Sequence, residues 1–78
     1  MEVRVIVYSK DLMVFLTFTY KNYRGEVSER KICSSRLEYG TTEFHPEPQW
    51  FLTAWDYDKQ EHRSFALKDM TNVKRFTR

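Results

Sequence analysis

No window of twelve or more residues in this chain repeats its apolar positions at the 3.6-residue period of an amphipathic helix. What recurs is alternation. "VRVIVY" (3–8) is β-branched on both faces, and "MVFLTFTY" (13–20) sets Val14, Leu16, Phe18 and Tyr20 on one side. "EVSERKIC" (26–33) returns as a more polar strand, and "RLEY" (36–39) reads as a short strand ending at Gly40. "WFLTAWDY" (50–57) is the strongest strand signal, with "HRSFAL" (62–67) as its hairpin partner across the polar turn "DKQE". "KDMTN" fits one helical turn before a last strand, "VKRFT". Between the early strands, Asn22 and Gly25 supply residues that tolerate positive φ. Pro46 and Pro48 hold the residue before each in extended geometry, so "TTEFHPEPQ" is a loop. Five to six short strands joined by polar turns predict an all-β fold, a small barrel or sandwich.

The strongest strand carries an anomaly. A half-buried strand normally has one apolar and one polar face. Here Trp50, Leu52 and Ala54 make a core-like face, while Phe51, Thr53, Trp55 and Tyr57 make the other. The three outward aromatics can pack beneath a terminal segment such as 1–12, form an oligomer interface, or stack on a base or another flat ligand. Aromatic residues are 17% of the chain, a share high enough to make this the compositional signal to follow.

Size limits the rest. At 78 residues the chain is one small domain, burying roughly 60–65% of the surface it exposes unfolded. Cys33 stands alone, so no internal disulfide staples the domain, which fits a reducing, cytoplasmic setting. The longest apolar tract, "MVFLTFTY", is far short of the roughly 20 residues that cross a bilayer. "MEVRVIVYSKD" has neither the basic leader nor the apolar stretch of a signal peptide. A net charge of +2 is too small to mark a duplex-DNA binder without a local patch, and a helix-turn-helix has no room here.

Catalysis finds little support. Asp56, Asp58 and Glu61 cluster at a hairpin turn, but a calcium loop needs a longer ligand run, a mid-loop glycine and a distal glutamate. They read as solvated turn carboxylates. A hydrolase built on them would show a metal-dependent activity lost on Asp56→Asn. His45, His62 and Cys33 have neither metal-ligand spacing nor a nucleophile pattern. No metal, cofactor or enzymatic role is expected. Two arginines are more informative. Arg30 shares strand parity with Ile32, and Arg63 with Phe65 and Leu67. A charge on a core-like face is rarely buried unpaired. Each arginine therefore either makes a salt bridge at the mouth of the fold or joins the other on an anionic ligand.

In their order, "FTYKNYRGEVSERKI" followed by "QWFLTAWDYDKQEHRSFAL" resembles the WYL domain of bacterial and phage regulators. The matching positions are Tyr20, Gly25, Arg30, Trp50-Phe51-Leu52, Arg63, Phe65 and Leu67, within about residues 13–76, leaving 1–12 as an N-terminal extension or edge strand. "HPEPQW" and "FALKDM" look like a short, stand-alone branch of that family. The resemblance implies an Sm-like, SH3-type β-barrel and a ligand-sensing role toward nucleotides or single-stranded nucleic acid. Carried over, it implies Phe51 in the place of the motif's tyrosine, Arg30 and Arg63 as anion contacts, and Tyr20 beside them, with His45 and Lys68 at the rim. Phe51 lacks the tyrosine hydroxyl, leaving stacking alone. Ala66 and Asp69 occupy places where many members have arginine, with Lys68 between them as a substitute, and Ser34 stands where proline is common.

The expected function is a non-enzymatic binding module for such a ligand, regulatory through a protein partner or through sequestration of the ligand, as in a phage-type nucleotide-sequestering protein. The alternative is a protein-interaction or homo-oligomeric assembly module, a homodimer through an open edge strand among them.

Overall fold

The computed structural model describes residues 5–7 and 14–76. It contains six strands: β1 (Val5–Val7), β2 (Phe15–Lys21), β3 (Val27–Gly40), β4 (Gln49–Asp56), β5 (Glu61–Ala66) and β6 (Met70–Arg75). A 3-10 turn, Leu67–Asp69, links the last two. All pairings are antiparallel, in the order β5-β4-β3-β2-β6, with β1 against Leu37–Tyr39 of β3. The remainder of the expected N-terminal extension, 1–4 and 8–12, lies outside the described residues. Among the described residues no helix is long and apolar enough to cross a membrane.

The all-β class expected from alternation is what forms. Among the described residues the ladder does not join β5 to β6, so the sheet curls without closing as a barrel. Side chains hold the curl. Phe65 of β5 meets Phe18 and Tyr20 of β2 edge-to-face, with centroids 5.1 and 5.0 Å apart, although β3 and β4 lie between these strands in the ladder. Edge-on rings place the positive rim of one on the negative face of the next, worth about 0.5–1.5 kcal/mol per pair beyond burial. Ile32, Leu52 and Ala54 complete the buried cluster. The Tyr20 hydroxyl then accepts a hydrogen bond from the Ala66 backbone N–H at 2.9 Å, tying β2 to β5.

The segments expected as two strands, 26–33 and 36–39, fall on one 14-residue strand, Val27–Gly40. The reason is a bulge. Ser34 pairs with Ala54 and Arg36 with Thr53, leaving Ser35 as an extra residue whose hydroxyl donates to the Thr53 carbonyl at 3.0 Å. A bulge advances the chain by one without advancing its partner, so the parity of inward residues switches. Ile32 and Ser34 face inward before it and Leu37 after it, and the alternation breaks as a strand end would.

Two assignments to the core change. Trp50 is 38% exposed, because β4 pairs with β5 only from Phe51 onward and the indole extends past that ladder to meet the Tyr39 ring at 5.2 Å. Leu67 is 40% exposed because the 3-10 turn starts there and ends strand parity.

Candidate functional site

The β2–β3 turn is built by its own side chain. The Asn22 Oδ1 accepts from the backbone N–H groups of Arg24 and Glu26, each at 2.9 Å, and Gly25 takes φ +82°. That geometry favours glycine. It carries Tyr23 and Arg24 at the tip, with the Arg24 Nε donating to the Tyr23 hydroxyl at 3.1 Å. Facing it is the loop between β3 and β4, pinched where Thr42 and His45 exchange backbone hydrogen bonds at 3.0 and 3.2 Å. Phe44 from this loop stacks on Tyr23, centroids 4.4 Å apart and planes 21° from parallel. The two loops that flank β3 thus meet over an open cleft of about 430 Å³.

Five of the six residues proposed from the sequence line that cleft: Tyr20, Arg30, His45, Phe51 and Arg63. Lys68 does not. It lies in a neighbouring depression, 61% exposed, with its ammonium on Asp69 at 3.2 Å. Arg30 and Arg63 do share one cleft, since Arg30 pairs across β3–β2 with Phe18 and Arg63 across β5–β4 with Ala54, on the inward side of the curl.

Their circumstances differ. Arg30 donates from Nη1 to the Asp56 Oδ2 at 3.0 Å, with side-chain exposures of 10% and 0%, and its guanidinium carbon sits 5.9 Å from the Phe65 ring centroid. Asp56 was expected to be a solvated turn carboxylate; it is fully buried. Its second oxygen accepts from the Asp58 and Lys59 backbone N–H groups, so it serves as the cap of the β4–β5 turn. The Arg30 Nε is buried without a hydrogen-bond acceptor among the described residues. Arg63 pairs with Glu61, two residues away, at 2.8 Å, with both groups substantially exposed. Such pairs contribute about 0–1 kcal/mol, so Arg63 can exchange its partner and Arg30 is held.

Phe51 is only 3% exposed. The loop that Pro46 and Pro48 extend folds back over it, bringing the His45 ring to 5.5 Å, edge to face, while the His45 Nε2 lies 3.5 Å from the Asp69 Oδ2. An aromatic that faces away from the core in parity is therefore covered by its own chain. Trp55 is half-buried and meets His62 of β5 at 5.1 Å. Burial pushes the Tyr20 hydroxyl above its ordinary pKa, against the opposing effect of the Ala66 hydrogen bond. Tyr23, Phe44, Arg24 and Lys59 were not singled out from the sequence. The turn signal at Asn22 and Gly25 marks where Tyr23 and Arg24 sit, but nothing local pairs them with Phe44.

The described residues thus form a curled all-β module with a cleft lined by both aromatic and cationic side chains. The family model for the WYL domain matches residues 15–75, and the chain belongs to the WYL domain family. Such domains are generally ligand-sensing, regulatory modules, associated with nucleotide and nucleic-acid sensing. No curated protein and no solved structure matches the chain.

Proposed function

We propose that this chain is a non-enzymatic sensing module that takes a nucleotide-like or single-stranded nucleic-acid ligand in the cleft between the β2–β3 turn and the β3–β4 loop. The observation that carries this reading is that Arg30 and Arg63 line the same cleft among aromatic side chains. Arg63 is the contact that engages the ligand, giving up Glu61 for a phosphate, because a guanidinium fork suits anionic oxygens. Arg30 contributes field and its remaining N–H donors while staying on Asp56, since leaving that carboxylate buried and unpaired would cost several kcal/mol. His45 lies at the rim, Phe51 backs the loop, and Lys68 acts outside the cleft. The curl of the sheet is compatible with an Sm-like or SH3-type arrangement, and the signal passes to a protein partner or ends in sequestration of the ligand.

The test is anisotropy of a labelled short single-stranded DNA at two salt concentrations, with Arg63→Ala alongside. Salt-sensitive binding that weakens in the folded variant supports the reading. No binding of the strand at low salt, together with none of a labelled nucleotide, removes it. The assembly reading draws on the outer edges of β5 and β6, which lack a ladder partner among the described residues. Light scattering across concentrations tests it, and a strictly monomeric chain excludes it.

A further inference from the structure

The residue expected to stack on a ligand, Phe51, is 3% exposed, whereas Tyr23 and Phe44 are 52% and 51% exposed while already stacked on one another. Isolated exposed aromatics are ordinary on a protein surface. A near-parallel pair is less so, because it joins two loops and keeps a flat π surface in water. Both rings line the arginine cleft, and both also line an adjoining depression of about 550 Å³. That second depression is lined by Arg24, Arg30, Lys59 and Arg63 together with Glu26, and Arg30 and Arg63 keep their carboxylate partners Asp56 and Glu61. A flat apolar surface is thus set beside four cationic side chains, of which Arg63 holds its carboxylate only through an exposed pair.

From this juxtaposition we infer that the Tyr23–Phe44 pair, and not Phe51, is the stacking platform for a nucleobase, with the attached phosphates on Arg24, Lys59 and Arg63. The inference rests on the proposed binding function and specifies how that site reads its ligand. One face of Phe44 is taken by Tyr23, and the Arg24 guanidinium carbon lies over the Tyr23 ring, 5.5 Å from its centroid, so a base stacks on the exposed side of Phe44 without displacing core side chains. Phe51 could offer a face only if the His45 contact and the pinched Thr42–His45 turn came apart. Stacking needs no base-specific hydrogen bond, so recognition would be tolerant of sequence. Free nucleotides and single strands share this chemistry of base plus phosphate.

The experiment compares a fluorescein-labelled oligothymidylate of about six nucleotides, within the usual range of single-strand site sizes, with an abasic strand of the same length. The native chain should bind the base-bearing strand about tenfold or more tightly than the abasic one, the ratio expected of one base on an aromatic ring. Phe44→Ala, at an exposed position, should erase that ratio in a chain that still melts cooperatively, and Tyr23→Ala should erase it and also weaken abasic binding, because the Tyr23 hydroxyl holds Arg24. Phe51→Leu, which keeps an apolar side chain at its position, should retain the ratio. If Phe44→Ala keeps the ratio, or Phe51→Leu loses it while folded, the assignment is overturned and the binding function stands. Equal binding of both strands by the native chain also overturns it, leaving an anion site dependent on Arg63. No binding of either strand, together with none of labelled thymidine monophosphate, removes the stacking assignment and the proposed function together. Competition by thymidine monophosphate separates the sources: displacement at the same site assigns free nucleotides, and a requirement for the strand assigns nucleic acid.

Discussion

The Arg30 Nη1 lies 3.0 Å from the Asp56 Oδ2, and this contact fastens the first part of β3 to the end of β4. Asp56 is fully buried and also caps the turn that follows it, so one carboxylate holds a strand pair and a hairpin together. Removing one partner of a buried pair strands the other, which typically costs about 3–5 kcal/mol. Asp56→Ala should therefore reduce stability by about that amount in urea melts, and Arg30→Ala by a similar amount. A double substitution, Arg30→Met with Asp56→Leu, should be less harmful than the sum of the two singles. Additive losses would mean that the two groups act independently.

Arg63 should behave in the opposite way. Its exposed pair with Glu61 is worth about 0–1 kcal/mol, so Arg63→Ala should leave the urea midpoint nearly unchanged. The same substitution should weaken anionic-strand binding and lower the slope of log K against log salt by about 0.7, the single-strand value for one lost phosphate contact. An unchanged slope would remove Arg63 from the site.

Tyr20 links the sheet's two halves through the Ala66 N–H. Tyr20→Phe leaves that donor buried without its acceptor, a loss of about 1–3 kcal/mol. The pH dependence follows from burial, which raises the hydroxyl pKa above the ordinary tyrosine value of 10.0. Because the folded pKa is the higher one, the unfolded chain releases this proton first. Its contribution is fully present below the unfolded pKa and is lost as pH rises through the folded one. Alkaline titration above pH 10.0 should thus destabilise the native chain more steeply than Tyr20→Phe. Parallel titration curves would show that Tyr20 is not the group responsible.

Phe51 and Trp50 are adjacent, yet substitution should separate them sharply. Phe51 is 3% exposed and Trp50 38%. Phe51→Ala should cost about 3–5 kcal/mol, the usual range for emptying a buried aromatic site. Trp50→Ala should cost distinctly less, since its ring is held chiefly at one edge by Tyr39. Thermal melts of the two variants decide the matter, and equal losses would contradict the burial difference.

Much of this was legible from local pattern. Phe18, Tyr20, Ile32, Leu52, Ala54 and Phe65 were all on the faces that became the core, because a strand's side-chain period of two survives in the sequence. The common inward parity of Arg30 and Arg63 was legible for the same reason. The Ser35 bulge was not, since an extra residue looks like a break between two strands until the partner is known. Asp56 was misread because a carboxylate before a polar turn has the same composition whether it caps that turn in the interior or faces water.

By itself, then, the sequence determined the all-β class, the positions of the turns and the faces on which the chemistry-bearing residues stand. These depend on dihedral preference and on neighbours within a few positions. The curl of the sheet decided the rest: that Tyr20 reaches Ala66 across 46 positions, that the loop after β3 covers Phe51, and that Tyr23 meets Phe44. Burial and pairing belong to contacts between distant segments, and those distances are set only when the strands have taken their places around a common core.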